Sequence, residues 1–444
     1  MGALRNETSG RVSKGKTASE KKQSLWARLG PGLITGAADD DPSGIATYSQ
    51  VGAGLGYSIL WTAFFTFPLM VGIQTVSARI GRVTGLGLAA NIRRHYPPWL
   101  LYGIVVLLLI ANTINIAADI GAMGAALKLL IGGSARWYAI AVGTISVVLQ
   151  VFVPFPRYAP LLKALTLALL AYVATVFVVK VPWGEVLYET IMPSLSLKAE
   201  YVVAVVAVFG TTISPYLFFW QAAQEVEDQR AASGEEPLIV APEQARVQLQ
   251  RIKIDTYVGM GFSNLVAFFI MLTAVVTLNL HGITDIQTSA QAAQALRPLA
   301  GDFAFALFAA GIVGTGLLAV PILAGSAAYA VAETFKWPEG LGLQLLQARG
   351  FYAIVIIATI LGVALNFTPI DPIKALFWSA VINGVIAVPI MAVMMLMAIR
   401  KDIMGPFVIT RWLTVLGWLA TATMAIAVLA MLATWANERA ATTG

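Results

Sequence analysis

Asp39-Asp40-Asp41-Pro42-Ser43-Gly44 interrupts a run from Trp26 to Leu55 that is otherwise apolar enough to cross a bilayer. A carboxylate at membrane depth costs about 2.5 kcal/mol or more on insertion scales, so such groups line a cavity or touch a ligand. The chemistry open to them there is cation binding or proton holding. Pro42 and Gly44 unwind the helix beside them, and non-helical backbone at that depth is tolerated only where protein buries it or a water-filled cavity meets it. A second interruption, Gly210-Thr211-Thr212-Ile213-Ser214-Pro215-Tyr216, falls in the apolar run from Tyr201 to Glu225. Pro215 removes a backbone donor and pushes Ser214 out of helical geometry.

The elements that must position these residues are membrane helices. Of 444 residues 58% are hydrophobic and only 12% charged, too little polar surface for a soluble globule of that length. The net charge of +6 does not indicate a nucleic-acid partner. The cations gather in an N-terminal tail (Arg5, Arg11, Lys14, Lys16, Lys21, Lys22) and in loops, where orientation and anionic lipid account for them. The tail, residues 1–25, lacks the apolar core of a signal peptide and is expected to be disordered and cytoplasmic. No cysteine is present, which excludes disulfides and thiolate metal sites. His95 and His281 fall near segment ends.

Apolar runs of roughly 20 residues give about eleven spans. They are Trp26–Leu55, Tyr57–Ile80, Trp99–Leu130, Trp137–Phe155, Leu161–Val179, Tyr201–Glu225, Ile254–Leu278, Phe303–Phe335, Phe351–Leu365, Ile373–Ile399 and Val408–Ala433. Arg and Lys concentrate in alternate connections (Arg79, Arg82, Arg93, Arg94; Arg157, Lys163; Arg246, Arg251, Lys253; Lys336, Arg349; Arg400, Lys401, Arg411), which predicts a cytoplasmic N-terminus and an extracytoplasmic C-terminus in the cell membrane. The first and sixth spans are both broken, five spans apart. That spacing predicts two five-helix repeats of inverted topology, residues 26–179 and 201–399, with an additional helix at 408–433, and a binding site at the midplane between the half-helices.

Within that frame Asp41 is the expected ligand, with Asp39 and Asp40 lining the vestibule, where neighbouring carboxylates raise the local cation concentration. Thr211 would act through its carbonyl and Ser214 through its hydroxyl or carbonyl, unless they only cap the broken helix. Tyr216 reads as packing. Asp119 stands alone on an apolar helix among Ala117, Ala118 and Gly121, which suits either an ion pathway or tight helix packing. Glu225, Glu227 and Asp228 read as a solvated cytoplasmic run. No Walker loop, His-Glu-x-x-His or Gly-x-Ser-x-Gly motif occurs, so ATP-driven pumping and the common hydrolases have no residues to run on. An amino-acid symporter would need an anion site beside three aspartates, and a carboxylate-dyad protease would need Asp41 and Asp119 a few ångströms apart.

The runs Gly30-Pro31-Gly32, Asp41-Pro42-Ser43-Gly44 and Gly210-Thr211-Thr212-Ile213-Ser214-Pro215, with Asp119-Ile120-Gly121-Ala122 and Leu296 to Gly316, resemble the natural resistance-associated macrophage protein family, Nramp. These are divalent-metal transporters of the LeuT-type fold. The resemblance implies an all-α polytopic membrane protein with broken helices 1 and 6, lipid and a divalent cation as partners, no cofactor, no enzymatic activity, and function as a monomer. By the family's Asp-Pro-Gly-Asn pattern Asp41 is a metal ligand, and Gly44 stands where the liganding asparagine would be. By its Ala-x-x-Met-Pro-His pattern Thr211 supplies a carbonyl, Ser214 replaces the methionine and Tyr216 replaces the histidine. The family's Asp-x-x-Glu, linked to proton movement, is kept as Asp119 but ends in Ala122. Asn383 lies near the family's ion-facing glutamine.

Exchanging a soft thioether for Ser214 leaves an all-oxygen site suited to hard ions such as Mg2+ or Mn2+. Losing the side chain at Gly44 is expected to widen the cavity so that water completes the coordination, which suits Mg2+. The pattern is similar to the Nramp-related magnesium transporters, a branch that moves ions without tight proton coupling; a proton-coupled manganese or iron importer is the alternative.

Overall fold

The computed structural model describes residues 31–153, 157, 164, 167–369 and 371–443, and among these every regular element is helical. The basic tail, the start of the first span and most of the entry into the fifth lie outside the described residues. The helices are α1 (Pro31–Asp39), α2 (Pro42–Leu55), α3 (Trp61–Thr84), α4 (Leu88–His95), α5 (Pro98–Ile131), α6 (Ala135–Phe152), α7 (Leu170–Val178), α8 (Trp183–Ile191), α9 (Ala199–Thr212), α10 (Pro215–Ala231), α11 (Ala245–Thr277), α12 (Ala304–Phe335), α13 (Arg349–Leu365), α14 (Pro372–Ala398) and α15 (Arg411–Thr443), with short turns between. Among the described residues eight stretches are long and apolar enough to cross a membrane, and Leu167–Val178 and Arg349–Leu365 are shorter apolar helices. With the broken pair α1–α2 they make up the expected set of about eleven spans.

The packing repeats itself across the two halves. Helix α11 packs on α1 and α2, and its counterpart α3 packs on α10 and α9; α3 also meets α11, and α5 meets α12. Exchanging the halves exchanges these contacts, as an inverted repeat requires. Lipid tails are as apolar as leucine, so association rests on close backbone approach at small residues. A Cβ on Gly81 of α3 would stand 2.3 Å from the Ala222 carbonyl oxygen of α10, and one on Gly210 of α9 would stand 2.0 Å from the Ala380 carbonyl oxygen of α14. Only glycine allows either crossing.

Both breaks arise from the same local cause. A proline at the first position of a helix has no N–H to give, so the carbonyl four residues earlier loses its donor. Pro42 deprives Ala38 in this way, and Pro215 deprives Thr211. The backbone restarts in extended geometry at Asp41 (φ −68°, ψ 172°) and at Ser214 (φ −81°, ψ 134°).

At the end of the bundle holding the arginine-rich connections, the carboxylates read as a solvated run are held differently. Glu225 is fully buried and ion-paired to Arg251, and Arg82 pairs with Glu235. Gln248 bridges the two pairs, donating to Glu235 Oε1 at 2.8 Å and accepting from Arg251 Nε at 3.0 Å. Glu227 accepts from the Tyr329 hydroxyl at 2.5 Å and from Leu341 N at 2.7 Å. Only Asp228 of the three faces outward. Arg251 thus neutralises a buried acid and Glu235 a buried arginine, as burial of a charge demands.

Candidate metal site at the broken helices

Asp41 is the N-cap of α2. Its Oδ1 accepts from Gly44 N at 2.7 Å, which satisfies an amide left open at the helix start. Its Oδ2 lies 3.4 Å from the Tyr216 hydroxyl. That hydroxyl sits 3.0 Å from the Ala38 carbonyl oxygen, the one orphaned by Pro42. A phenol has one proton, so the Ala38 carbonyl takes it at the shorter distance, and Tyr216 of the second broken helix thereby closes the gap in the first. The packing role read for Tyr216 is incomplete: it joins the two breaks.

The second break is closed from within. Ser214 Oγ lies 2.9 Å from the Thr211 carbonyl oxygen, orphaned by Pro215, and 2.8 Å from that of Gly210. One hydroxyl proton serves one of these at a time and leaves the other carbonyl open. The helix-capping role of Ser214 is therefore realised. Carbonyl ends of half-helices carry partial negative charge and favour a cation.

The space expected at Gly44 is not open. A Cβ there would lie 3.1 Å from the Asp39 carbonyl oxygen, 3.2 Å from Thr211 Oγ1 and 3.3 Å from Tyr48 Cε2. The Thr211 hydroxyl and the Tyr48 ring stand where a side chain at this position would go. The roomy cavity predicted from the sequence is thus corrected to a closed, fully buried site.

Asp39 and Asp40 do not line a vestibule here. Both are buried, and Ser263 of α11 meets them together, its Oγ 2.5 Å from Asp39 Oδ2 and 3.3 Å from Asp40 Oδ1. Ser263 has no sequence signal beyond its place on an apolar helix. Ser43 faces the other way, its Oγ 3.0 Å from the Leu376 carbonyl oxygen and 3.1 Å from Ser379 Oγ, and so ties the start of α2 to α14.

Asp119 is fully buried on α5, within electrostatic reach of Asp41, with the Ser43 N–H facing its carboxylate. Asn383 is buried on α14 with Oδ1 unpartnered, next to the Gly384 whose backbone meets Gly210 of α9. The structure therefore gathers Asp40, Asp41, Gly44, Thr211, Ser214, Asp119 and Tyr216 about the two breaks. Among the described residues no group of three or more His, Cys, Asp or Glu is arranged to enclose a metal ion. A cation here would rely on carboxylate, carbonyl, hydroxyl and water oxygens.

A family profile described as natural resistance-associated macrophage protein-like matches residues 32–434. The chain belongs to the Nramp family. The divalent metal cation transporter MntH of Klebsiella pneumoniae strain 342 is 26% identical over 422 residues, which cover 94% of this chain and 95% of that protein. The manganese transporter of Eremococcus coleocola superimposes with a TM-score of 0.69 at 18% identity, over 95% of this chain and 89% of that one. Mhp1, a nucleobase-cation-symport-1 family transporter, gives 0.56 at 13% identity over 92% of each chain. The Nramp chain thus shares the LeuT-type fold: an all-α polytopic membrane protein with paired broken helices.

Proposed function

We propose that this Nramp protein is a secondary transporter of divalent cations, Mg2+ and Mn2+, that imports them across the cell membrane by alternating access without tight proton coupling. The observation that carries the reading is the oxygen-only donor set at the joined breaks: the Asp41 carboxylate, the carbonyls of Gly210 and Thr211, and the Ser214 hydroxyl. Hard cations prefer such ligands, and no thioether or imidazole is offered. The relatives named for divalent metal or manganese transport support the cargo class. The arginine distribution supports a cytoplasmic N-terminus and an extracytoplasmic C-terminus, and the self-contained site supports a working monomer in lipid.

Isothermal titration of Mg2+ and Mn2+ into wild type and Asp41→Asn tests the site. Asparagine keeps the N-cap, so the fold is retained, and binding should be lost; a mutant that binds like wild type sinks the assignment. A second reading, proton-coupled manganese import, draws on the buried carboxylate of Asp119 beside Asp41. Flux into liposomes separates the two. Mn2+ uptake that Mg2+ competes away, with no internal acidification, supports the first and excludes the second.

A further inference from the structure

Among the described residues Lys336 is the only non-glycine with a left-handed backbone (φ 59°, ψ 36°). It follows the last turn of α12, a place where glycine takes that conformation without steric cost. Lysine there carries strain that glycine would avoid, and an outlier of this kind points to work done by the side chain. Closing the helix is not that work, because Arg93 of α4 already donates to the Glu333 carbonyl at the same end. The Lys336 side chain is exposed and makes no ion pair among the described residues.

The groups around it form one surface. Tyr102 of α5, Phe335 and Trp337 stand in a row with ring centroids 6.5 Å and 5.3 Å apart, and they are 50%, 52% and 40% exposed. Trp337 lies against the first turn of α13, where a Cβ on Gly350 would meet its ring at 2.5 Å. Arg349, exposed and without an ion pair, precedes that glycine, and no side chain caps the α13 N-terminus, whose first amides favour an anion. Arg94, also exposed and unpaired, follows the Arg93 that reaches α12. The acids at this end are engaged elsewhere: Glu333 accepts from Ala90 N at 2.8 Å, and Glu339 faces Arg230 at 3.7 Å. From Tyr102 along α5, Val106 and Ile110 are exposed at successive turns and lead to a shallow groove lined by Leu109, Ile110, Thr113 and Ile114.

We propose that this surface binds an anionic phospholipid, with Lys336 and Arg349 at its phosphate, Arg94 adding attraction, the aromatic row at headgroup level and an acyl chain along α5. Aromatic rings sit at the headgroup level of a bilayer, and basic pockets between membrane helices take headgroups of this charge. A soluble phosphate would use the cations and amides but leave the rings and the groove idle. The proposal needs only that the chain crosses a membrane, and no reading of its cargo.

The test is titration of phosphatidylglycerol into the full-length protein in neutral detergent, followed by native mass spectrometry, with phosphatidylcholine and inorganic phosphate as comparisons. Phosphatidylglycerol should bind at least about tenfold tighter than phosphatidylcholine. Each cation near an anionic headgroup accounts for about fivefold in affinity, so Lys336→Gly and Arg349→Gln should each weaken phosphatidylglycerol by about that factor. Lys336→Gly keeps the fold, since glycine adopts this backbone freely. Arg246→Gln removes an exposed cation of α11 at the same end of the bundle and should leave affinity unchanged. Wild-type affinity in either site variant overturns the proposal, as does an equal loss in Arg246→Gln, which would mean diffuse surface charge. Displacement of the lipid by an equal concentration of inorganic phosphate overturns it too.

Discussion

Gly36 of α1 and Gly259 of α11 meet backbone to backbone: a Cβ on Gly36 would stand 2.2 Å from the Gly259 carbonyl oxygen. Gly259 has no side chain that can turn aside, so the helices must part if Gly36 gains one. Gly36→Ala is expected to separate α1 from α11 at a cost of about 1–3 kcal/mol. Thermal unfolding should register the loss, and liposome flux should drop. The chain has no cysteine, so a single Ile34→Cys probe would report α1 cleanly, reacting faster in the Gly36→Ala background. Equal reactivity in both backgrounds would show that this crossing does not hold α1 in place.

Gly44→Asn restores a family ligand by type but not by space. The new side chain meets Asp39 O, Thr211 Oγ1 and Tyr48 together, so thermal stability should fall by about 1–3 kcal/mol. Thr211→Ala removes one of these contacts and should recover part of the loss. The check is a double-mutant cycle by thermal unfolding, where the two changes must be coupled. Strict additivity would mean that Thr211 does not set the room at Gly44.

Ser214→Met removes the hydroxyl that closes the Gly210 and Thr211 carbonyls and introduces a soft ligand. Soft ligands favour later transition metals over Mg2+. Competition titration should show the ratio of Mn2+ to Mg2+ affinity rising by about tenfold, a difference of roughly 1.4 kcal/mol. An unchanged ratio would place residue 214 outside the ion's reach.

Glu339 gives a pH signature outside the spans. Burial pushes its carboxyl up to about 7, with the Arg230 guanidinium 3.7 Å away opposing and Glu227 reinforcing the shift. A carboxyl raised on folding binds more protons folded than unfolded between its ordinary value and 7, so stability declines as pH rises through that window. Glu339→Gln should reduce the fall in melting temperature between pH 5 and pH 8. A variant whose melting curve tracks wild type at both pH values would remove Glu339 from the account.

The breaks were legible because proline acts locally: Pro42 and Pro215 fix where the ladder fails whatever surrounds them, whereas Gly44, expected to help unwind the chain, lies inside regular α2. Asp41 was legible for the same reason, being both an N-cap and a charge where charge is costly. Ser263, Tyr48 and Tyr216 were not, since their partners are brought to them only by packing. Ser263 is 224 residues from Asp39, and nothing in its own neighbourhood distinguishes it from any serine on an apolar helix. Gly44 misled in a related way, because deleting a side chain says nothing about which neighbour takes the space. Glu225 read as solvated because its sequence neighbours are charged, whereas Arg251 lies on the next long helix.

Asp39 is tied through Ser263 to α11, while Asp41 belongs to α2, which Ser43 fastens to α14. Asp40, which Ser263 also meets, lies between these two ties, and α11 packs on both α1 and α2. The seat proposed for the cargo thus falls where the chain passes between the two ties. Under the proposed function, any shift of α1 against α2 would be taken up by the torsions of residues 39–41, beside the carboxylate proposed to meet the ion. A ligand or cross-link that stiffened these three residues would stall the protein with its oxygens still free.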